Sequence, residues 1–149
     1  MFQHLSNLKS YEPGRPVEEV VAQFGIKPEE VIKMASNENP LGPPPGVEEV
    51  VAHWARHLNR YPDDSYPLLK KGLANRFQVR EEEILIGSGS DEVLKLAVQA
   101  RAPKRILTAG VTFAMYEIFG RQIGAEVVKT PSPTHKMEQF LELYKKYRP

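Results

Sequence analysis

Apolar residues recur along this chain at steps of three and four in some stretches and in short unbroken runs in others. From Gly46, Val47, Val50, Val51, Trp54 and Leu58 fall on one side of a helix, which predicts a buried face. Leu69, Leu73 and Phe77 do the same over 68–77. After Arg80-Glu81-Glu82-Glu83, read as a solvated turn, the run Ile84-Leu85-Ile86 reads as a buried strand. Helices are predicted over 91–101, 113–123 and 137–147, and strands over 105–109 and 125–130. From Ile84 the order is therefore strand, helix, strand, helix, strand, helix, the alternation of a doubly wound α/β sheet.

Proline punctuates the other end. Pro13 and Pro16, then Pro40, Pro43, Pro44 and Pro45, favour extended and turn backbone, so residues 1–45 read as an arm laid along a larger body. Two short helical pieces are expected within it. One runs from Pro16 to Phe24 and is stopped by Gly25; the other runs over 28–34. The expected organisation is an arm and small-domain segment over 1–45, then the first part of a large domain over 46–149. The alternation reaches Arg148-Pro149 just after a helix, where a further strand is expected, so the pattern stops in mid-fold and the chain is expected to self-associate.

Composition narrows the classes. The 149 residues carry 20 Lys+Arg against 19 Asp+Glu, which gives no reason to expect a nucleic acid or an anionic membrane as partner. Apolar runs are too short for a membrane span, and Met1-Phe2-Gln3-His4 does not open a secretory leader. With no cysteine, disulfides and thiol chemistry are out, which fits a cytoplasmic setting. His53 and His57 share a metal-ligand spacing but lie beside the Val47/Val51/Trp54 face with no carboxylate cluster opposite, so no metal site is expected.

The strongest chemical feature is Ile86-Gly87-Ser88-Gly89-Ser90-Asp91-Glu92, a glycine-rich passage into a helix. Unpaired N–H groups at a helix start, with glycines that let an anion approach, suit a phosphate, and Ser90 adds a hydroxyl. It has no Lys-Ser/Thr of a Walker loop, lacks the third glycine of a dinucleotide fingerprint, and is spaced wrongly for a nucleophile elbow. An ordinary capped turn, with Ser90 or Asp91 as cap, remains the alternative. Asn37-Glu38-Asn39-Pro40-Leu41-Gly42-Pro43 reads as a proline- and Asx-fixed turn that could present amides to a ligand. Arg60-Tyr61-Pro62-Asp63 follows a helix. Thr112-Phe113-Ala114-Met115-Tyr116 carries aromatics at a strand-to-helix turn, where α/β sheets bind ligands.

Tyr11-Glu12-Pro13-Gly14-Arg15-Pro16, Ala35 to Pro43, Arg60 to Asp63, Gly87 to Glu92 and Thr112 to Tyr116, in that order, resemble the amino-terminal part of the histidinol-phosphate aminotransferases. These are fold type I enzymes that use pyridoxal 5′-phosphate (PLP). The resemblance implies a three-layer α/β/α sheet domain, here incomplete, with an extended amino-terminal arm. It also implies that Gly89, Ser90 and Asp91 hold the cofactor phosphate and that Phe113 stacks on its ring. Tyr61 would reach the cofactor phosphate of a second subunit in a homodimer, and Tyr11 and Asn37 would line the substrate side. The implied reaction moves an amino group between L-histidinol phosphate and 2-oxoglutarate. A decarboxylase of the threonine-phosphate type and a non-catalytic paralogue are alternatives. Val111 departs from the family, which usually has proline there. The Schiff-base lysine, the ring-nitrogen aspartate and the substrate arginine of the family would all fall beyond Pro149, so no catalytic residue is assigned and the chain alone is expected to be inactive.

Overall fold

The computed structural model describes residues 5, 6, 8 and 10–149. Met1 to His4, on which the expectation of no leader rests, lie outside the described residues. The chain divides into two compact units: the described residues of Met1–Tyr11 with Leu68–Pro149, and Glu12–Pro67.

In the first unit the core is a β-α-β crossover. Strand β1 (Arg105–Thr108) pairs in parallel with β2 (Glu126–Lys129), Ile106 opposite Val127 and Leu107 opposite Val128. Parallel neighbours need a crossover, and helix α5 (Met115–Gln122) supplies it. This helix can lie close on the sheet because it turns Gly120 toward it: a Cβ there would meet Ile106 Cδ1 at 2.7 Å and Val127 Cγ2 at 3.2 Å. Among the described residues, Phe119, Ala109 and Ala125 are the buried apolar ones, joined by Thr108 and Thr130.

Helices α3 (Pro67–Phe77), α4 (Gly89–Arg101) and α6 (Met137–Tyr147) complete this unit, α4 packing on α5 and α6 on β1. Arg105 anchors the last of these. Its Nε donates to Glu126 Oε2 at 2.7 Å, its Nη1 donates to the Tyr147 carbonyl, and its guanidinium lies 5.4 Å from the Tyr147 ring centroid. A cation at the negative end of a helix is favourably placed.

The expected strand over 84–86 does not form a ladder. Ile84 is extended (φ −107°, ψ 119°), and Ile84 and Ile86 are half-buried while Leu85 faces solvent, so the alternation is that of a strand. No described residue pairs with it, and a strand needs a neighbour to hydrogen-bond as well as a suitable sequence. The sheet of the described residues thus has two strands rather than three.

The second unit holds α1 (Val17–Phe24) and α2 (Val47–Ala55). Gly25 ends α1 in the left-handed conformation (φ 65°), its N–H returning to the Val21 carbonyl at 2.9 Å. The second arm helix is shorter than expected: only a 3-10 turn, Pro28–Glu30, forms. The Glu30 carboxylate accepts from the Lys27 N–H at 2.9 Å, and the β-branched Val31 then goes extended. The face predicted to be buried on α2 forms but is uncovered: Val50 and Val51 are exposed, Trp54 is 60% exposed, and Leu58, beyond the helix end, is 81% exposed. Helical periodicity reports a face that can be buried; burial requires a surface to meet it.

Among the described residues no helix is long and apolar enough to cross a membrane.

Candidate functional site

The start of α4 is built by glycine. Gly89 adopts φ +83°, open to glycine and strained for other residues, and an added Cβ there would meet nothing within 4 Å. Ser88 is the N-cap, earlier than the Ser90 or Asp91 cap expected, and makes no side-chain cap bond. The Gly89 N–H turns back to the Gly87 carbonyl at 2.9 Å. The amides of Ser90 and Asp91 belong to the first turn, where an α-helix has no carbonyl of its own to offer them. Glu92, which closes the glycine-rich motif in the sequence, accepts the Ser88 N–H on its Oε2 at 2.5 Å. An anionic oxygen already sits against a backbone donor of this turn.

Phe113 precedes α5 rather than opening it as expected, and is 41% exposed. Its ring meets Tyr11 edge-on, centroids 6.3 Å apart at 78°, and Tyr116 at 6.4 Å and 89°. Such T-shaped pairs satisfy the aromatic quadrupole and fix ring orientation. Two predicted residues from distant parts of the chain, Tyr11 and Phe113, are thus brought together. Tyr116, in the same motif, completes the aromatic group.

The loop that carries Phe113 rests on the segment after β2. The Gly110 N–H donates to Thr130 Oγ1 at 2.9 Å, and a Cβ on Gly110 would lie 2.4 Å from the Thr130 carbonyl oxygen and 2.9 Å from that of Ser132. His135 Nε2 lies 3.1 Å from the Val111 carbonyl oxygen. Neither Gly110 nor His135 is among the candidates the sequence offers; a glycine directly after a predicted strand was the available signal for the first, and no local signal marks the second.

Asn37 and Tyr61 belong to the other unit. Asn37 (φ 51°) follows Ser36 (φ 68°), two consecutive left-handed residues that are not glycine. The turn after them is closed as expected by an Asx bond, the Leu41 N–H donating to Asn39 Oδ1 at 3.0 Å, and Lys33 bonds Glu38 at 2.7 Å. Tyr61 is fully exposed and lines an open cavity of about 650 Å³ with His53, Trp54, His57, Arg60 and Asp63. Hydrogen bonds from the Ser65 hydroxyl and amide hold the Asp63 carboxyl below its ordinary range. Among the described residues no three His, Cys, Asp or Glu side chains gather to hold a metal ion.

Residues 29–149 match the family described as aminotransferase class I and II. The histidinol-phosphate aminotransferase of Wolinella succinogenes is 50% identical over 147 residues, covering 97% of this chain and 40% of that protein. That of Sulfurimonas denitrificans is 45% identical over 149 residues, covering 99% of this chain and 41% of that protein. The chain therefore spans about 40% of the length of the curated relatives it matches. Among solved structures, the histidinol-phosphate aminotransferase of Sinorhizobium meliloti, in complex with pyridoxal-5′-phosphate, superposes with a TM-score of 0.75 over 99% of this chain and 40% of that one. At 21% identity that likeness is one of fold. The matched span takes in the α4 turn and the Phe113 loop, and by it the chain belongs to the class I and II aminotransferase family.

Proposed function

We propose that this chain supplies the phosphate-holding and ring-facing part of a PLP-dependent aminotransferase that acts on L-histidinol phosphate. The start of α4 carries the reading. It offers first-turn amides, a glycine with open space around it, and the Ser88 N–H, which already donates to the Glu92 carboxylate oxygen, so its residues fit a phosphate. The substrate follows that of the histidinol-phosphate aminotransferases to which the chain is 45–50% identical.

In this reading the backbone at Gly89, Ser90 and Asp91, with the Ser90 hydroxyl, holds the phosphate of PLP. The half-exposed Phe113 covers one face of the ring, its tilt set by Tyr11 and Tyr116. Tyr11 borders the substrate, and Asn37, on a turn of left-handed residues, does the same. Tyr61, fully exposed, reaches the site of a second copy in a homodimer. PLP, when bound, supplies the electron sink for moving an amino group from L-histidinol phosphate to 2-oxoglutarate. The setting proposed is cytoplasmic, in amino-acid biosynthesis, and turnover by these 149 residues alone is not expected.

The test uses pyridoxine 5′-phosphate, which lacks the aldehyde and so cannot condense with surface lysines. The purified chain is expected to bind it in equilibrium dialysis, to release it to inorganic phosphate, and to bind unphosphorylated pyridoxine far more weakly. Ser90→Ala is expected to weaken binding about ten- to a hundredfold, the worth of one hydrogen bond to a charged group. Equal binding of pyridoxine with and without phosphate overturns the reading. Glutamate turnover with PLP and both substrates by this chain alone would refute its inactivity.

A further inference from the structure

Phe113 can cover a ring only if the backbone ahead of it holds still. The segment 110–113 has no regular structure of its own, since β1 ends at Thr108 and α5 begins at Met115. Val111 leaves φ free, where a proline would fix it. Something else must restrict the turn. Gly110 is held against the Thr130 and Ser132 backbone, and the next peptide carbonyl, that of Val111, meets His135.

We propose that His135 is a positioning residue for Phe113: its Nε2–H, donated to the Val111 carbonyl, holds the backbone two residues ahead of the aromatic ring. A carbonyl can only accept, so the ring must carry a proton on Nε2 to make this bond. The segment that bears His135 is itself tied down. The Ser132 N–H donates to Gln139 Oε1 on α6 at 3.3 Å, and the Ser132 and Thr134 hydroxyls lie 2.8 Å apart. The Lys136 N–H donates to the Thr134 carbonyl at 3.0 Å. The loop after β2 thus serves as a platform for the loop after β1. The role toward the cofactor ring rests on the proposed function above; the tether itself does not.

Two measurements on the full chain test it. In amide hydrogen exchange, His135→Ala is expected to speed exchange in peptides covering 112–117 about fivefold, as loss of one hydrogen bond implies, with the melting temperature little changed. His135→Gln, which keeps an N–H donor, is expected to exchange like the wild type. In dialysis, His135→Ala is expected to weaken pyridoxine 5′-phosphate about fivefold and leave inorganic phosphate unaffected, because phosphate alone does not need Phe113. Val111→Pro should make His135 dispensable, so the double variant should regain the lost affinity. Unchanged exchange in His135→Ala, or equal weakening of both ligands, overturns the proposal. So does a loss that persists in the Val111→Pro background when Val111→Pro alone binds normally. If the wild-type chain binds neither ligand, the cofactor reading fails separately, and exchange still decides the tether.

Discussion

Gly110 and Gly120 both stand where a side chain would meet a neighbour, but the neighbours differ in kind. A Cβ on Gly110 would strike the Thr130 carbonyl oxygen at 2.4 Å, fixed backbone at the end of β2. A Cβ on Gly120 would meet the far end of Ile106, at 2.7 Å, which can turn aside. Gly120 also lies within α5, where alanine is favoured over glycine by about 1 kcal/mol. Gly110→Ala is therefore expected to destabilise the chain by about 1–3 kcal/mol, as overpacking does, and Gly120→Ala to change it by less than about 1 kcal/mol. Urea denaturation of the two variants checks the ordering, and equal midpoints would refute it. Neither contact was legible in the sequence, since each joins the glycine to residues brought near only by the β-α-β crossover. Gly89 was legible, because its left-handed backbone serves a local strand-to-helix turn. At Tyr11 the sequence supplied a candidate through resemblance, and folding supplied its partner, Phe113.

At the next scale, α5 is joined to β2 by charge. Glu117 bonds Arg121 on its own helix at 2.8 Å and reaches Lys129 on the strand. The Lys129 hydrogen bond, helped by Arg121, holds the Glu117 carboxyl below its usual 4.5 despite partial burial. Between the lowered folded value and the ordinary unfolded one, the unfolded chain binds the proton and the folded chain does not. The contribution is thus fully present above the ordinary value, is lost as pH falls through the folded value, and is absent below it. Lys129 is 42% exposed, so solvent screening limits the gain. Glu117→Gln is expected to cost up to about 1 kcal/mol at neutral pH, the wild type and variant converging in acid. Thermal melting across pH checks this, and a gap that widens toward acid would contradict it. Element identity was largely legible: α6 spans the expected 137–147, and α1 ends at Gly25. The 84–86 strand was misread because an apolar run is a local property and a ladder partner is not.

For the molecule as a whole, exposed apolar surface is the main fact. Val50, Val51, Trp54 and Leu58 on or just after α2, and Phe77 and Leu85 elsewhere, are all exposed, while the buried apolar core among the described residues comprises Ala109, Phe119 and Ala125. Patches of this kind drive association. Sedimentation velocity over a concentration series is expected to show mass-dependent association, reduced by Trp54→Asp. A single sharp monomer boundary at every concentration would contradict this. Periodicity, capping glycines and the order of the five motifs are properties of neighbouring residues, so they were readable along the chain, and with them the helices, the parallel crossover and the family. Which strands pair, which apolar face is covered, and that Gly110 and His135 support the Phe113 loop depend on residues distant in sequence. Those contacts exist only after the chain closes on itself, because pairing and burial each require a second surface.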